Sequence, residues 1–204
     1  MNYQYIKTLL KNIKNKNPNI LVIGDIMLDH YITGDVKRIS PEAPVPVLNY
    51  KTEKKVLGGA GNVASNLSNL GAKVSIGSII GDDESGDSIK KLLKDINASS
   101  SLIINIDYSH TTKKTRFISQ GIQLLRLDND SSRYLPKDIV SMENKILKNI
   151  VLFDCLIISD YDKGVCSVKT IKKIINRANE FDVPVYVDPK GSDWGKYENA
   201  TSIT

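Results

Sequence analysis

Uninterrupted apolar runs alternate along the chain with segments of helical periodicity. The runs predict five buried strands, at 19–24, 74–80, 102–106, 155–159 and 183–187. The helical patterns lie between them, at 60–70, 84–96, 137–150 and 168–181. Strands that are apolar throughout are typical of a parallel sheet covered on both faces. The alternation therefore predicts an α/β fold, doubly wound, with a mostly parallel sheet and helices on both faces.

Two segments interrupt the alternation with short runs of β character. Residues 30–57 contain several such runs and three prolines, and residues 112–127 form a predicted hairpin around a turn at Gln120-Gly121. Prolines and short strands are typical of an exposed sheet. We therefore expect a small second sheet, made from these two pieces and inserted into the α/β domain. A sheet beside the carboxyl ends of the main strands would act as a lid.

The N-terminal segment predicts a helix, with Ile6, Leu9, Leu10 and Ile13 on one face. It lacks the continuous apolar stretch of a signal peptide, and no run approaches the roughly 20 apolar residues of a membrane span. We expect a cytoplasmic protein without a membrane partner.

Composition adds few constraints. The chain has 204 residues, 41% of them hydrophobic, and a net charge of +5. That charge suggests nucleic-acid binding, but no basic cluster with interleaved aromatic residues supports it, and we expect no nucleic-acid partner. Two cysteines and two histidines are too few for a disulfide framework or a histidine-rich metal site, so we predict no metal ligands.

The most informative motif is Gly58-Gly59-Ala60-Gly61-Asn62-Val63-Ala64, where three glycines precede a predicted helix. Such a loop lets a ligand approach backbone N–H groups, and an Asn62 amide suits sugar hydroxyls. The alternative is a tight turn with close helix packing. The motif also fits the dinucleotide fingerprint G-x-G-x-x-A, but that fingerprint should directly follow the first strand, whereas here a long β-rich insert intervenes.

Two other motifs have little support. Residues 191–197 lack the spacing of a phosphate-binding P-loop and have Tyr197 where Ser or Thr should bind magnesium. Neither histidine lies near a nucleophile-elbow pattern, which argues against a Ser-His-Asp triad.

From Gly58 through Gly71 to Gly81, the chain resembles the N-terminal signature of the ribokinase (PfkB-type) carbohydrate kinases. Segments 24–29, 38–47, 126–128, 159–164 and 188–191 resemble, more closely, the branch that phosphorylates D-glycero-β-D-manno-heptose 7-phosphate. The resemblance covers residues 19–204. It implies a ribokinase-like fold with a β-sheet lid, in a kinase domain that is often fused to an adenylyltransferase.

The resemblance implies ATP-dependent, Mg²⁺-dependent phosphorylation of the anomeric hydroxyl of a heptose 7-phosphate. The product, a 1,7-bisphosphate, leads to ADP-heptose and the lipopolysaccharide core. By the same resemblance Asp29 binds sugar hydroxyls, and Gly58, Gly59 and Asn62 form the sugar-binding loop. The lid of this family often forms a dimer contact, so we expect a homodimer through the two β pieces.

Cationic residues are candidates for phosphate binding. Lys114 and Arg116 alternate along one predicted strand and share a face, where they could hold the 7-phosphate or simply meet solvent. Arg38 and Arg126 are weaker candidates. Lys190, after the last long strand, is placed to reach the transferring phosphate of the nucleotide.

The catalytic base implied by the resemblance is an aspartate in a later Gly-Ala-Gly-Asp segment, which would lie beyond Thr204. We therefore expect residues 1–204 to form part of a kinase domain, without its C-terminal region, and to be inactive alone. Two alternatives stay open: another sugar kinase, of ribo- or fructokinase type, and a non-catalytic module that binds sugar phosphates.

Overall fold

The computed structural model describes residues 15–131, 134–191 and 193–204. The helix predicted around Ile6 lies outside the described residues. In chain order, the strands are β1 (Asn19–Gly24), β2 (Ile26–Ile39), β3 (Pro46–Gly59), β4 (Lys73–Gly77), β5 (Ile79–Gly81), β6 (Ile104–Ile106), β7 (Lys113–Ser119), β8 (Ile122–Asn129), β9 (Cys155–Ser159), β10 (Val185–Asp188) and β11 (Ser202–Ile203). The α-helices are α1 (Ala60–Asn69), α2 (Glu84–Asp95), α3 (Pro136–Asn149) and α4 (Val168–Glu180), and short 3₁₀ helices span Ile150–Leu152 and Trp194–Tyr197.

The main sheet has five parallel strands in the order β11-β10-β9-β1-β4. The interior strand β1 is apolar from Ile20 to Ile23 because both of its faces are covered. Leu21 and Ile23 belong to a core shared with α3 and α4, whereas Val22 belongs to a second core shared with α1 and α2. The predicted α/β fold with a mostly parallel sheet and helices on both faces is therefore confirmed.

The helices begin where their sequences supply starting residues. The side chain of Asp83 accepts a hydrogen bond from the Gly86 N–H at the start of α2, and Ser167 accepts one from Thr170 at the start of α4. Pro136 opens α3, where its missing N–H costs nothing. Helices α1 to α4 each lie within one residue of their predicted bounds.

A second sheet extends from the carboxyl end of β1. Its order is β3-β2-β7-β8, with β2 antiparallel to β3 and parallel to β7, and with β7 antiparallel to β8. The short runs predicted within 30–57 are in fact parts of two 14-residue strands, β2 and β3. Because β2 starts two residues after β1 ends, this sheet lies beside the carboxyl edge of the main sheet.

The predicted strand at 74–80 is divided in the structure at Ser78. Ser78 lies between β4 and β5 and belongs to neither strand. Its hydroxyl donates a hydrogen bond to the Gly24 carbonyl at 2.6 Å. The residues after Ser78 form β5, which pairs with β6 in a separate two-stranded parallel sheet. The expectation that 102–106 joins the main sheet is therefore wrong, since only Ile104–Ile106 is a strand and its partner is β5.

Candidate functional site

The order of the main sheet reverses at β1 and β9, and the residue that follows each of them is a buried aspartate. After β1 the chain continues toward β4, and after β9 it continues toward β10, on the opposite side. Open α/β sheets bind ligands in the crevice beyond such a reversal. Asp25 and Asp160 stand at this crevice and are 2% and 3% exposed.

Asp25 fixes the loop after β9. Its Oδ2 accepts hydrogen bonds from the N–H groups of Tyr161 and Lys163 at 2.9 and 3.1 Å, and its Oδ1 accepts one from Val165 at 3.1 Å. Burial raises the pKa of Asp25, although these N–H groups oppose the rise. The loop therefore keeps one conformation, and Tyr161 is held at the crevice.

Asp160 fixes the segment that follows β10. Its Oδ2 accepts hydrogen bonds from Lys196 Nζ at 2.5 Å and from the Tyr197 hydroxyl at 2.7 Å. Burial alone would lower the pKa of Lys196, but the hydrogen bond to Asp160 has the larger effect and raises it. Lys196, which falls in the rejected P-loop segment, therefore has a structural partner.

One pocket of about 470 Å³ opens between this crevice and the second sheet. It brings together the principal site residues named from the sequence: Asp29, Gly58, Gly59, Asn62, Lys114, Arg116 and Lys190. Arg126 lines it too, whereas Arg38 is exposed near the end of β2 and is not among the described lining residues. The wall also includes Met27, Tyr31, Val56, Leu57 and Tyr161, which the sequence reasoning did not single out.

Asp29 and the glycines meet because β2 and β3 pair in register. Met27 lies opposite Gly58, and a Cβ on Gly58 would stand 2.5 Å from Asp29 Oδ2. Gly59 precedes α1 with φ 57° and ψ −132°, a conformation that essentially requires glycine. The glycines therefore place the Asp29 carboxylate directly against the backbone that leads into α1. They end an antiparallel strand, which excludes the dinucleotide-fingerprint geometry.

Asp29 forms an ion pair across the sheet. Arg116 Nη1 donates to Asp29 Oδ1 at 2.5 Å, and the Arg116 guanidinium lies 5.2 Å from the centre of the Tyr31 ring. Burial opposes the charge of Arg116, but the hydrogen bond to Asp29 outweighs it and raises the pKa of Arg116. The two side chains come from adjacent parallel strands, β2 and β7.

Asp128 on β8 pairs with the other two cations of the second sheet that line the pocket. Its Oδ2 accepts from Lys114 Nζ at 3.0 Å, and its Oδ1 accepts from Arg126 Nε at 2.8 Å. The hydrogen bond from Lys114 lowers the pKa of Asp128. Lys114, Arg116 and Arg126 therefore present three positive charges to one wall of the pocket.

The opposite wall carries Tyr161 and Lys190. The Lys190 ammonium lies 5.6 Å from the centre of the Tyr161 ring, and Lys190 is exposed after β10. Four cationic side chains and one carboxylate, Asp29, thus line the pocket among the described residues. The arrangement can accept an anionic group and polar hydroxyls at once.

Within residues 15–131, 134–191 and 193–204, His, Cys, Asp and Glu side chains form no group of three or more that could hold a metal ion. None of the helices in those ranges is long and apolar enough to cross a membrane. Cys155 and Cys166 are free thiols, and burial raises the pKa of both.

Comparison with known proteins identifies the family. Residues 17–202 match the model of the pfkB family carbohydrate kinases. The chain belongs to the pfkB family of carbohydrate kinases. The matched range includes the glycine-led motif that lines the pocket of this pfkB chain.

The curated relatives of this pfkB chain include two proteins named bifunctional protein HldE. The one from Aliarcobacter butzleri is 47% identical over 194 residues, and the one from Campylobacter curvus is 44% identical over 189 residues. Each match covers 93% of this chain and 40% of the relative. The chain thus spans about two-fifths of the length of these relatives.

Solved structures support the same fold for this pfkB chain. A possible 1-phosphofructokinase from Thermotoga maritima aligns with a TM-score of 0.70 and 15% identity, over 89% of this chain and 57% of that one. The Arabidopsis thaliana ribokinase, solved with ribose and ATP, aligns with a TM-score of 0.60 and 15% identity, over 86% and 55%. At such identities the likeness concerns the fold alone.

Proposed function

We propose that this chain is the sugar-binding portion of an ATP-dependent kinase that phosphorylates the anomeric hydroxyl of a heptose 7-phosphate. The observation that carries the proposal is the pocket in which Asp29 and the Gly58-Gly59 loop face three cations of the second sheet. The resemblance to heptose 7-phosphate kinases and the similarity to proteins named HldE support the choice of sugar. The reaction belongs to ADP-heptose and lipopolysaccharide core synthesis.

The pocket separates two kinds of recognition. Asp29 accepts hydrogen bonds from sugar hydroxyls, and the exposed amide of Asn62 can donate to them or accept from them. Lys114, Arg116 and Arg126 hold the 7-phosphate. A ribose or fructose without a phosphate would leave the cationic wall unused. This wall therefore favours a phosphorylated sugar over the substrates of a ribo- or fructokinase.

The nucleotide side of the reaction involves Lys190. Membership of the kinase family implies ATP as the phosphate donor. Lys190 stands across the pocket from the cationic wall, held beside Tyr161, where its ammonium would contact the transferring phosphate. Mg²⁺ is part of the proposal as the ion that accompanies ATP, and we assign no residue of this chain to it.

The proposal extends to assembly and location. Exposed apolar side chains cluster on and beside the second sheet, among them Val45, Leu125 and Leu127. A homodimer formed through this sheet would cover them. We place the protein in the cytoplasm, where sugar phosphates and ATP occur together, and assign it no nucleic-acid partner.

Calorimetry on the purified protein tests the sugar assignment. We expect heptose 7-phosphate to bind more tightly than unphosphorylated heptose, ribose or fructose. Asp29→Asn should weaken that binding about 10- to 100-fold, because it removes a charged acceptor. Equal binding of ribose or fructose would favour another sugar kinase instead.

A coupled assay for ADP tests catalysis. We expect no heptose-dependent ADP release from the 204-residue chain alone, with the Aliarcobacter butzleri relative as the positive control. Turnover by the chain itself would contradict the proposed inactivity. Tight binding of heptose 7-phosphate with no effect of ATP on affinity would favour a non-catalytic binding module.

A further inference from the structure

The carboxylate proposed to recognise hydroxyls is already occupied in the free protein. Asp29 Oδ1 accepts the hydrogen bond from Arg116 Nη1 at 2.5 Å. Asp29 Oδ2 lies so close to Gly58 that a Cβ there would be 2.5 Å away. While Arg116 stays in place, its guanidinium therefore competes with sugar hydroxyls for the acceptor positions of Asp29.

Arg116 differs in this respect from the other cations of the same wall. Lys114 and Arg126 are both held by Asp128, which has no contact with Asp29 among the described hydrogen bonds and ion pairs. Withdrawing Lys114 or Arg126 from its carboxylate would leave Asp29 unchanged. Arg116 is the cation whose departure alters the hydroxyl acceptor.

We propose that the Asp29–Arg116 ion pair makes hydroxyl recognition depend on phosphate recognition. A phosphate group of the ligand draws Arg116 away from Asp29, and the released carboxylate accepts hydroxyls of the same ligand. The inference rests on the proposed function, because it concerns the same pocket. It adds a reason why an unphosphorylated sugar is rejected even where its hydroxyls fit.

Separating the Asp29–Arg116 pair costs free energy because both side chains are largely buried. The side chains of Asp29 and Arg116 are only 17% and 20% exposed, so neither charge is well solvated if its partner leaves. A phosphate can replace the carboxylate as a bidentate partner of the guanidinium. A neutral sugar offers Arg116 no such replacement and must break the pair without compensation.

Through this pair, binding of the ligand's phosphate and binding of its hydroxyls are thermodynamically coupled. If phosphate binding releases Asp29, then hydroxyl binding must favour phosphate binding by the same factor. Such coupling factors are typically about 5- to 150-fold. The Asp29–Arg116 pair thus acts as a specificity determinant beyond the contacts that each residue makes with ligand.

Calorimetry with three probes tests the coupling: inorganic phosphate, D-glycero-D-manno-heptose and its 7-phosphate. The variants are Arg116→Gln, Asp29→Asn, the double variant, and Arg126→Gln as the matched control. Arg126 lies opposite Arg116 in the sheet register and lines the same pocket, but it pairs with Asp128. Both arginine variants lose one positive charge from the same wall.

We expect Arg116→Gln to weaken heptose 7-phosphate binding about 100-fold and to strengthen binding of the unphosphorylated heptose about 5-fold. Arg126→Gln should weaken the phosphorylated sugar without strengthening the neutral one. A neutral heptose that binds Arg116→Gln no better than the unsubstituted protein would overturn the inference. So would an equal gain in Arg126→Gln.

Inorganic phosphate separates this inference from the proposed function. Asp29→Asn should strengthen phosphate binding when Arg116 is present and leave it unchanged in the Arg116→Gln background. If no heptose binds but this non-additivity is found, the proposed substrate is wrong and the exchange at the ion pair stands. If phosphate fails to bind, or if the two substitutions act independently on it, the exchange is wrong.

Discussion

At the scale of single residues, Gly58 has no room for a side chain. A Cβ there would lie 2.5 Å from Asp29 Oδ2 and 2.9 Å from Met27 Cγ. Gly58→Ala must therefore displace the Asp29 carboxylate. We expect sugar-phosphate binding to fall at least about 10-fold, because a misplaced charged acceptor loses its hydrogen bonds. Calorimetry measures the loss.

Gly195→Ala is the matched control for this substitution. The nearest atom to its Cβ would be Asp193 Oδ1 at 3.4 Å, an ordinary contact, and Gly195 lies outside the pocket lining. Thermal unfolding of both variants shows whether each still folds. Unchanged binding in Gly58→Ala would mean that Asp29 does not need its present position.

The sequence identified residues of the pocket but not their pairing. The glycine loop and the carboxylate of Asp29 can be recognised from their immediate sequence neighbours, because a glycine run before a helix and an acidic residue soon after a buried strand are local patterns. The partners of those residues cannot, since Arg116 is 87 positions from Asp29 and Asp128 reaches Lys114 only once β7 and β8 pair. Asp25 and Asp160 each directly follow a buried strand, and that position is a usable sequence signal for a residue at the crevice.

At the scale of elements, Asp83 connects α2 to the approach of β7. Besides capping α2, its carboxylate accepts hydrogen bonds from the Thr111 N–H at 2.9 Å and the Thr111 hydroxyl at 2.7 Å. Burial opposes ionisation of Asp83, but these donors outweigh it and lower the pKa. One side chain thus fixes a helix and the entry to the strand that carries Lys114 and Arg116.

Asp83→Ala should lower the free energy of unfolding by about 2 kcal/mol, because a cap and a buried hydroxyl lose their partner. The folded-state pKa of Asp83 lies below its unfolded value of roughly 4. Its stabilisation is therefore complete above that value and is lost as pH falls through the lower folded pKa. Urea unfolding at several pH values should show the difference from the unsubstituted protein shrinking below about pH 4.

Asp87→Ala is the control, since Asp87 is exposed in the first turn of α2 and pairs with the partly buried Lys90 at 3.4 Å. Such a pair contributes at most about 0.5 kcal/mol. A difference for Asp83→Ala that stays constant across this pH range would contradict the assignment of the effect to the ionised carboxylate.

Helices were more predictable than strands for a physical reason. Helix ends are set by nearby residues such as Asp83, Pro136 and Ser167, so the bounds follow from the sequence. Strand ends depend on distant partners. Ser78 leaves its strand because the Gly24 carbonyl accepts its hydroxyl, a contact across 54 positions. The long strand β2 was predicted only in pieces because the sequence does not show that β3 and β7 flank it.

At the scale of the whole molecule, the second sheet contributes side chains to the pocket and also exposes apolar side chains to solvent. Ile122, Leu125 and Leu127 on β8 are 66%, 60% and 58% exposed. Val45, Pro46, Leu48, Phe117, Leu124 and Leu125 line an apolar groove of about 360 Å³. Large exposed apolar patches of this kind mark interaction surfaces. The strands that carry the cations of the pocket would therefore be fixed by the same contact that joins two copies.

We expect sedimentation of the purified protein to show a dimer, and Leu125→Asp to convert it to a monomer by placing a charge in the covered surface. Val151→Asp is the control, because Val151 is 52% exposed on the 3₁₀ helix after α3, away from the second sheet. Since β7 and β8 carry Lys114, Arg116 and Arg126, the monomer should also bind heptose 7-phosphate more weakly. A dimer that survives Leu125→Asp would show that the two copies meet through a different surface. An unsubstituted protein that sediments as a monomer would show that no second copy covers this sheet.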